Sequence, residues 1–201
     1  MNVIFLDFDG VINTYHDQYI TDKEYSQVIE NRMKILSKIC NECNCKVVIE
    51  ASIKDDINEE TLKTDIDWVN DIFVLFKKYN IECIGRTPTI KKELNNGVYL
   101  PIWKEDEIRL YLFNHPEIEH YVVIDDDDRQ DMHMVSDLDK VRNHLVKTEF
   151  FSTAKEQEGL LEKHIDEVIE ILKKENEIRN LLIKNKKILD YEEDNKKNYN
   201  I

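Results

Sequence analysis

Three apolar runs in the chain each end in residues that can bind a cation, attack an electrophile or carry a proton. A continuous apolar run that stops at turn-forming residues is typical of a buried strand. The polar residues at the run ends are Asp7 and Asp9 after NVIFL (2–6), Ser52 at the end of CKVVIEAS (45–52), and Asp125–Asp128 at the end of HYVVIDDDD (120–128). If the three run ends meet in the fold, several carboxylates and a hydroxyl share one site.

Several carboxylates at one edge of a sheet repel one another, unless some take up protons or a cation neutralises them. A small cluster of oxygen ligands favours Mg²⁺, which keeps several waters and suits phosphate substrates. A serine hydroxyl can donate to a phosphoryl oxygen, and a lysine at the same edge can neutralise another. These residue types together predict a phosphoryl-transfer site.

Helical patterns separate the strands and would position these residues. Strands are also expected at 81–85 and 144–150, and the predicted helices are 23–43, 56–79, about 104–114, and a charged stretch from about 154 to 190. Alternating strands and helices predict a parallel sheet of about five strands with helices on both faces. Ligands of such sheets bind beyond the carboxyl ends of the strands, where the three polar clusters lie.

Composition narrows the possible partners. The net charge is −14, from 42 acidic and 28 basic residues, which argues against a broad footprint on nucleic acid. No apolar stretch is long enough for a membrane helix and the N-terminus does not resemble a signal peptide, so a cytoplasmic location is expected. The four cysteines lack the ligand spacing of a zinc site and are expected to be reduced.

The three motifs resemble those of the haloacid dehalogenase (HAD) superfamily. FLDFDGVIN is similar to motif I, VVIEAS to motif II, and YVVIDDDD to motif IV, in the order and rough spacing of that superfamily. The finer pattern TP…EIRLYLFNHPEIEHYVVIDDD…LVKT resembles small members without a cap domain, including those attached to RNA-repair proteins. The resemblance covers about residues 1–150 and implies a Rossmann-like fold.

The resemblance also implies roles for individual residues. Asp7 would attack phosphorus to form an aspartyl-phosphate, and Asp9 would be the general acid and base, which favours hydrolysis over dehalogenation. Ser52 would hold the phosphoryl group. Mg²⁺ would bind Asp7, the backbone carbonyl of Asp9 and one motif IV carboxylate, with Asp126 preferred and Asp125 as a supporting or alternative ligand.

Two assignments stay open at this point. Lys104 precedes the fourth strand where the motif III lysine is expected, but no clear motif III is present, and Arg86 competes for the role. The aspartate run is ambiguous too, because Asp131 follows it closely. Simpler structural roles are also possible: Ser52 could cap a helix, and the aspartates could form a solvated turn.

Domain organisation bears on the substrate. We expect a catalytic domain at 1–152 and a charged helical extension with a frayed tail at 153–201. The short segments around the motifs leave room for a small hairpin near 88–102 but for no cap, so the site should admit a phosphate carried by a macromolecule. Net charge favours a phosphoprotein. Phosphotyrosine is attractive because its long side chain reaches a recessed aspartate. Several aromatic side chains near the mouth could also stack on its ring, namely Phe8, Tyr15, Tyr19 and Trp103.

Other functions compete with this hypothesis. A phosphatase acting on nucleic-acid ends would be favoured if one basic groove were formed by Lys54, Arg86, Lys91, Lys92 and Lys104. A non-catalytic binding module would need neither Asp7 nor Asp9. Phosphotransferase or phosphonatase chemistry is a third option, and the second aspartate and missing cap disfavour the latter.

Overall fold

The apolar runs pair into one parallel sheet in the computed structural model, which describes residues 1–93, 99–101, 104–127 and 141–198. The sheet has five strands in the order β3-β2-β1-β6-β7. Their bounds are β1 Asn2–Leu6, β2 Cys45–Ile49, β3 Cys83–Arg86, β6 His120–Asp125 and β7 Leu145–Lys147. The predicted parallel architecture is confirmed, and the three motif strands lie side by side at its centre.

The remaining elements flank the sheet or project from it. The helices among the described residues are α1 Asp22–Cys43, α2 Asp67–Lys78, α3 Lys104–Asn114 and α4 Lys163–Asn198. Two short strands, β4 (Lys91–Glu93) and β5 (Tyr99–Pro101), pair antiparallel. They form the predicted small hairpin; the Asn96-Gly97 dipeptide expected at its turn lies outside the described residues.

Alternate side chains of the central strands build two separate cores. Ile4 and Leu6 of β1 face a core that α1, α2 and the first turns of α4 cover. Val3 and Phe5 face the opposite core, which α3 closes with Ile108 and Tyr111. Strands buried on both faces read as continuous apolar runs, which is why the sequence pattern identified them so readily.

Helix α1 shows how local signals set the bounds of an element. At its start, Thr21 and Glu24 form a capping box, with the Glu24 amide donating to Oγ1 of Thr21 at 3.3 Å. At its end, Asn44 adopts the left-handed conformation with φ 51°. The strand that follows is thereby set directly against β1.

The prediction of a helix over 56–79 was wrong in its first half. Residues 52–56 form a 3₁₀ turn and α2 begins only at Asp67. Between them, the carboxamide oxygen of Asn58 accepts the amides of Glu60 and Thr61, and Leu62 has φ 52°. Local side-chain hydrogen bonds of this kind compete with helix formation.

The segment that follows β7 packs closely on the sheet domain. The amide of Leu160 donates to the carbonyl of Val11 at 2.9 Å, and Ile165, Val168 and Leu172 belong to the first core. Further along α4 the side chains of residues 176–184 are exposed, among them Leu181. The predicted division of the chain at residue 152 and the predicted frayed tail remain predictions.

Among the described residues, no helix combines the length and the apolar character that crossing a membrane requires.

Candidate active site

The strand register brings the first and third polar clusters together. Leu6 pairs with Ile124, and the amide of Asp7 donates to the carbonyl of Ile124 at 3.0 Å. Asp7 and Asp125 therefore leave adjacent strands at the same level. On the other side of β1, the amide of Glu50 donates to the carbonyl of Leu6 at 2.9 Å, which sets the end of β2 beside the same edge.

Three carboxylates converge at this edge. Oxygen atoms of Asp7, Asp125 and Asp126 all lie within 4.8 Å of one another. Asp7 and Asp125 are buried and Asp126 is half-buried. Burial and the neighbouring negative charge of Asp7 raise the pKa of Asp125 to about 7 and that of Asp126 to about 6. Burial also raises the pKa of Asp7. Such a cluster favours a cation.

Lys104 bridges two members of this cluster. Its Nζ lies 2.7 Å from Oδ2 of Asp7 and 2.7 Å from Oδ2 of Asp125. Burial acts to lower the pKa of Lys104, but the two carboxylates raise it, so the side chain stays charged. The competing candidate, Arg86, instead donates to the carbonyls of Ile57 at 2.8 Å and Thr87 at 3.1 Å. Of the two candidates, Lys104 contacts the acidic cluster and Arg86 bonds to backbone carbonyls instead.

The two motif IV aspartates differ in their surroundings. Both oxygens of Asp125 have partners, since Oδ2 accepts from Lys104 and Oδ1 accepts the amide of Asp127 at 2.9 Å. Asp126 is more accessible. Asp7 is partnered in the same way as Asp125, since its Oδ1 accepts the amide of Phe8 at 2.6 Å and its Oδ2 lies 2.7 Å from Lys104. The choice of Asp126 as the ligand and Asp125 as its support therefore remains a prediction. The other aspartates considered from the sequence, Asp128 and Asp131, lie outside the described residues.

Gly10 makes room for Asp126. It has φ +73°, and a Cβ at this position would lie 2.3 Å from Cγ of Asp126. The turn is closed by the amide of Gly10, which donates to the carbonyl of Asn13 at 2.7 Å. Only glycine combines this conformation with so close an approach.

Asp9 and Ser52 lie at the same edge but on its exposed side. Asp9 is exposed, and its Oδ1 accepts from Nδ2 of Asn13 at 2.7 Å. Ser52 is exposed at the start of the 3₁₀ turn after β2, where Ala51 occupies the cap position. Ser52 is therefore not the cap of a helix. Its role, like that of Asp9, remains a prediction.

The expected aromatic mouth needs one correction. Phe8 is fully buried, and its ring packs edge-to-face on Trp68 with centroids 6.1 Å apart. It alternates with Asp7 and Asp9 and so points into the core. Tyr15 and Tyr19 are exposed as expected. Trp103 lies outside the described residues.

The sequence analysis missed a buried ionic network next to the site. Lys54 lies 2.7 Å from Oε1 of Glu50 and also contacts Glu107, and Thr87 donates to Glu50. All four side chains are buried, and burial raises the pKa of Glu50 to about 7. An acidic residue inside the apolar run VVIEAS, with a lysine four positions later, was the available signal.

Because Lys54 is buried in this network, it does not contribute to the basic groove predicted for a nucleic-acid substrate. Lys54 and Lys104 are both neutralised by carboxylates, and the side chains of Lys91 and Lys92 lie outside the described part of the chain. Arg86, a third member of that groove, donates to the backbone carbonyls of Ile57 and Thr87. The described members of the predicted set therefore have other partners.

Comparison with known proteins identifies the family. A family model described as the HAD domain in Swiss Army Knife RNA repair proteins matches residues 3–165. The match covers most of the 201 residues, so the chain belongs to this family of HAD-type hydrolases, as the three motifs predicted. No curated protein and no solved structure matches the chain significantly.

Proposed function

We propose that this HAD domain is a Mg²⁺-dependent phosphomonoesterase that removes a terminal phosphate from a nucleic-acid end through an aspartyl-phosphate on Asp7. The observation that carries the proposal is the cluster of Asp7, Asp125 and Asp126 within 4.8 Å, bridged by Lys104. A site of this kind combines a nucleophile, a cation site and a fixed positive charge.

The residues present fit Mg²⁺. Three carboxylates and one ammonium leave a net charge of about −2 in the cluster, which a divalent cation neutralises. All the ligand atoms are oxygens, as Mg²⁺ prefers. Asp7, Asp126 and the carbonyl of Asp9 would hold the ion, with Asp125 as support. When bound, the cation neutralises negative charge on the phosphoryl oxygens.

In the first step, a carboxylate oxygen of Asp7 attacks phosphorus. A P–O bond to Asp7 forms while the P–O bond to the leaving oxygen breaks, and protonated Asp9 gives its proton to that oxygen. Lys104 holds Asp7 in place, and its charge acts against burial, which raises the pKa of Asp7. Ser52 donates to a phosphoryl oxygen from the neighbouring strand end.

In the second step, water releases the phosphate. Asp9, now a carboxylate, accepts a proton from the water as its oxygen attacks phosphorus, and the P–O bond to Asp7 breaks. Free Asp7, protonated Asp9 and inorganic phosphate result. The exposure of Asp9 suits both proton transfers because a leaving group and a water must reach it.

The family supports a nucleic-acid end over a phosphoprotein. Its description names RNA repair, whereas the preference for a phosphoprotein rested on net charge, and that for phosphotyrosine on the reach of its side chain and on aromatic residues. A net charge of −14 opposes binding along a phosphate backbone, but a strand end presents one phosphate and a few bases. Recognition of the end therefore needs few basic residues.

The test is a hydrolysis panel. Single-stranded oligonucleotides with a 3′- or 5′-phosphate, a phosphotyrosyl peptide and glycerol phosphate are compared with Mg²⁺ and with EDTA. We expect phosphate release from one oligonucleotide end to require Mg²⁺ and to exceed release from the peptide. Asp7→Asn should abolish it, whereas Asp71→Asn, on the exposed side of α2, should not.

Three results would contradict the proposal. Turnover that persists in Asp7→Asn would exclude the aspartyl-phosphate route. Turnover absent from every substrate would favour a non-catalytic binding module. A higher kcat/KM on the phosphopeptide would restore the phosphoprotein hypothesis.

A further inference from the structure

Four exposed aromatic side chains lie beyond the carboxyl ends of β1 and β7. They are Tyr15, Tyr19, Phe150 and Phe151, which we call the aromatic platform, with exposed fractions of 36%, 66%, 40% and 54%. Tyr15 and Tyr19 belong to a 3₁₀ turn after motif I, and the two phenylalanines follow β7. Apolar rings grouped in solvent commonly mark a binding surface.

The platform is organised in the absence of a ligand. The ring of Tyr15 lies 5.1 Å from that of Phe151 and 5.4 Å from that of Tyr19, and the two tyrosine hydroxyls are 3.0 Å apart. The amide of Tyr15 donates to the carbonyl of Phe150 at 2.9 Å. These contacts join the two segments, so little ordering remains for binding.

His16 also holds one ring of the platform in place. The His16 ring stacks on Phe151 with centroids 5.6 Å apart and an angle of 21°. Nδ1 of His16 lies 2.5 Å from Oε1 of Glu158, a carboxylate that is fully buried. A stacked ring held by a buried carboxylate limits the movement of Phe151.

Both segments of the platform begin next to the catalytic edge. Asn13, two residues before Tyr15, contacts Asp9 at 2.7 Å. Thr148, two residues before Phe150, donates its amide to the carbonyl of Asp125 at 3.0 Å. Two residues span at most about 7 Å, so the platform begins a short distance from this edge. A strand whose terminal phosphate reaches Asp7 thus has its last bases near the platform.

We propose that the platform stacks the terminal bases of a single-stranded nucleic acid and so positions its end phosphate at Asp7. The inference rests on the proposed function, which it deepens by assigning how the substrate is recognised. Stacking on aromatic rings accepts any base, since every base has a π-face, and it requires no positive charge. It thus supplies affinity to a domain with a net charge of −14.

Binding is measured first, independently of turnover. The Asp7→Asn protein is titrated with a fluorescent single-stranded RNA carrying the terminal phosphate, by fluorescence anisotropy. Tyr19→Ala and Phe151→Ala, each added to this protein, should raise Kd about tenfold, in the range found when a stacking ring is removed. Phe151→Trp should retain the affinity and Phe151→Leu should not.

Phe113→Ala is the matched control. Phe113 is 84% exposed and lies near the end of α3, about 13 Å along that helix from Lys104. Its removal deletes an exposed ring without touching the platform, so Kd should not change. Thermal melting of each variant confirms that it is folded.

The ligand is varied as well. RNA with abasic sites at its last two positions should bind the Asp7→Asn protein about as weakly as normal RNA binds the Phe151→Ala variant. In turnover, the platform variants should raise KM for the oligonucleotide while kcat and the KM for glycerol phosphate stay unchanged.

The outcomes separate this inference from the proposed function. Equal affinity for abasic and normal RNA, or unchanged Kd in both alanine variants, would overturn the platform even if the enzyme is a phosphatase. The platform would also be overturned if its alanine variants lost more affinity for a phosphotyrosyl peptide than for RNA. Base-dependent binding without any turnover would support the platform and reject the proposed function.

Discussion

The Nζ of Lys104 lies 2.7 Å from Oδ2 of Asp7, although 97 residues separate them in the chain. The same nitrogen contacts Asp125, so one cation holds the ends of two adjacent strands. Burial opposes ionisation of Asp7, and Lys104 acts against that effect. A nucleophilic carboxylate must be ionised, and this contact therefore connects the fold to the proposed chemistry.

Replacing Lys104 should remove most of the activity. In Lys104→Met, Asp7 loses its charged partner and the phosphoryl group loses a stabilising charge, so kcat should fall by about 10²–10³-fold. Arg86→Met is the control, because its side chain bonds to backbone carbonyls outside the cluster. It should lower the free energy of unfolding and leave kcat unchanged. The reverse pattern would assign the motif III role to Arg86.

Mg²⁺ should raise the melting temperature, and more so at pH 8 than at pH 5. At ten times its Kd, the ion adds about 1.4 kcal/mol, or roughly 4 °C for a chain of this size. The pKa values of about 7 for Asp125 and about 6 for Asp126 mean that both carboxyls hold protons at pH 5, which compete with the cation. A shift independent of pH, or one that persists in Asp126→Asn, would contradict the proposed site.

Gly10→Ala and Gly159→Ala form a matched pair. Both glycines have positive φ, +73° and +70°, so each alanine should cost about 1–2 kcal/mol in backbone strain. A Cβ at Gly10 meets Asp126, whereas one at Gly159 lies 2.6 Å from Nε of Arg32, away from the cluster. Urea unfolding should therefore show destabilisation in both, while only Gly10→Ala loses the Mg²⁺-dependent rise in melting temperature.

Glu50 should make the protein less stable as pH rises. Its pKa is raised from 4.5 to about 7, mainly by burial, so the folded state binds a proton that the unfolded state releases between these values. Stability therefore falls as pH increases through this window, by a contribution on the order of 3 kcal/mol. Glu50→Gln cannot ionise, so the unfolding free energy of the wild type should fall relative to that of Glu50→Gln between pH 5 and pH 8. A constant difference would show that Glu50 is ionised throughout.

Turnover of the oligonucleotide should depend only weakly on salt. If one or two phosphates are contacted, a fourfold rise in KCl should lower kcat/KM by less than about tenfold, because the slope follows the number of neutralised phosphates. A much steeper decline would indicate an extended basic surface.

Strand positions were predictable from sequence because their apolar runs are buried on both faces. The runs around Ile4, Val47 and Val122 each have one structural interpretation, and the polar residue after each run marks a strand end. Motif order then located Asp7, Asp9, Ser52 and the aspartates of motif IV. The start of α2 was harder to predict. The side chain of Asn58 accepts a backbone amide and favours a turn, so the helix begins later than the apolar pattern suggests.

Contacts between distant segments could be decided only by the tertiary structure. Spacing along the chain does not say whether Lys104 or Arg86 reaches Asp7, whether Phe8 faces the mouth or the core, or whether Lys54 is free or buried between Glu50 and Glu107. The sequence by itself determined the parallel sheet and which of its strand ends carry the carboxylates, because both follow from local apolar patterning. The ion pairs at that edge, and the joining of Tyr15 to Phe150 beside it, depend on packing between segments far apart in sequence, and only the folded chain decides those.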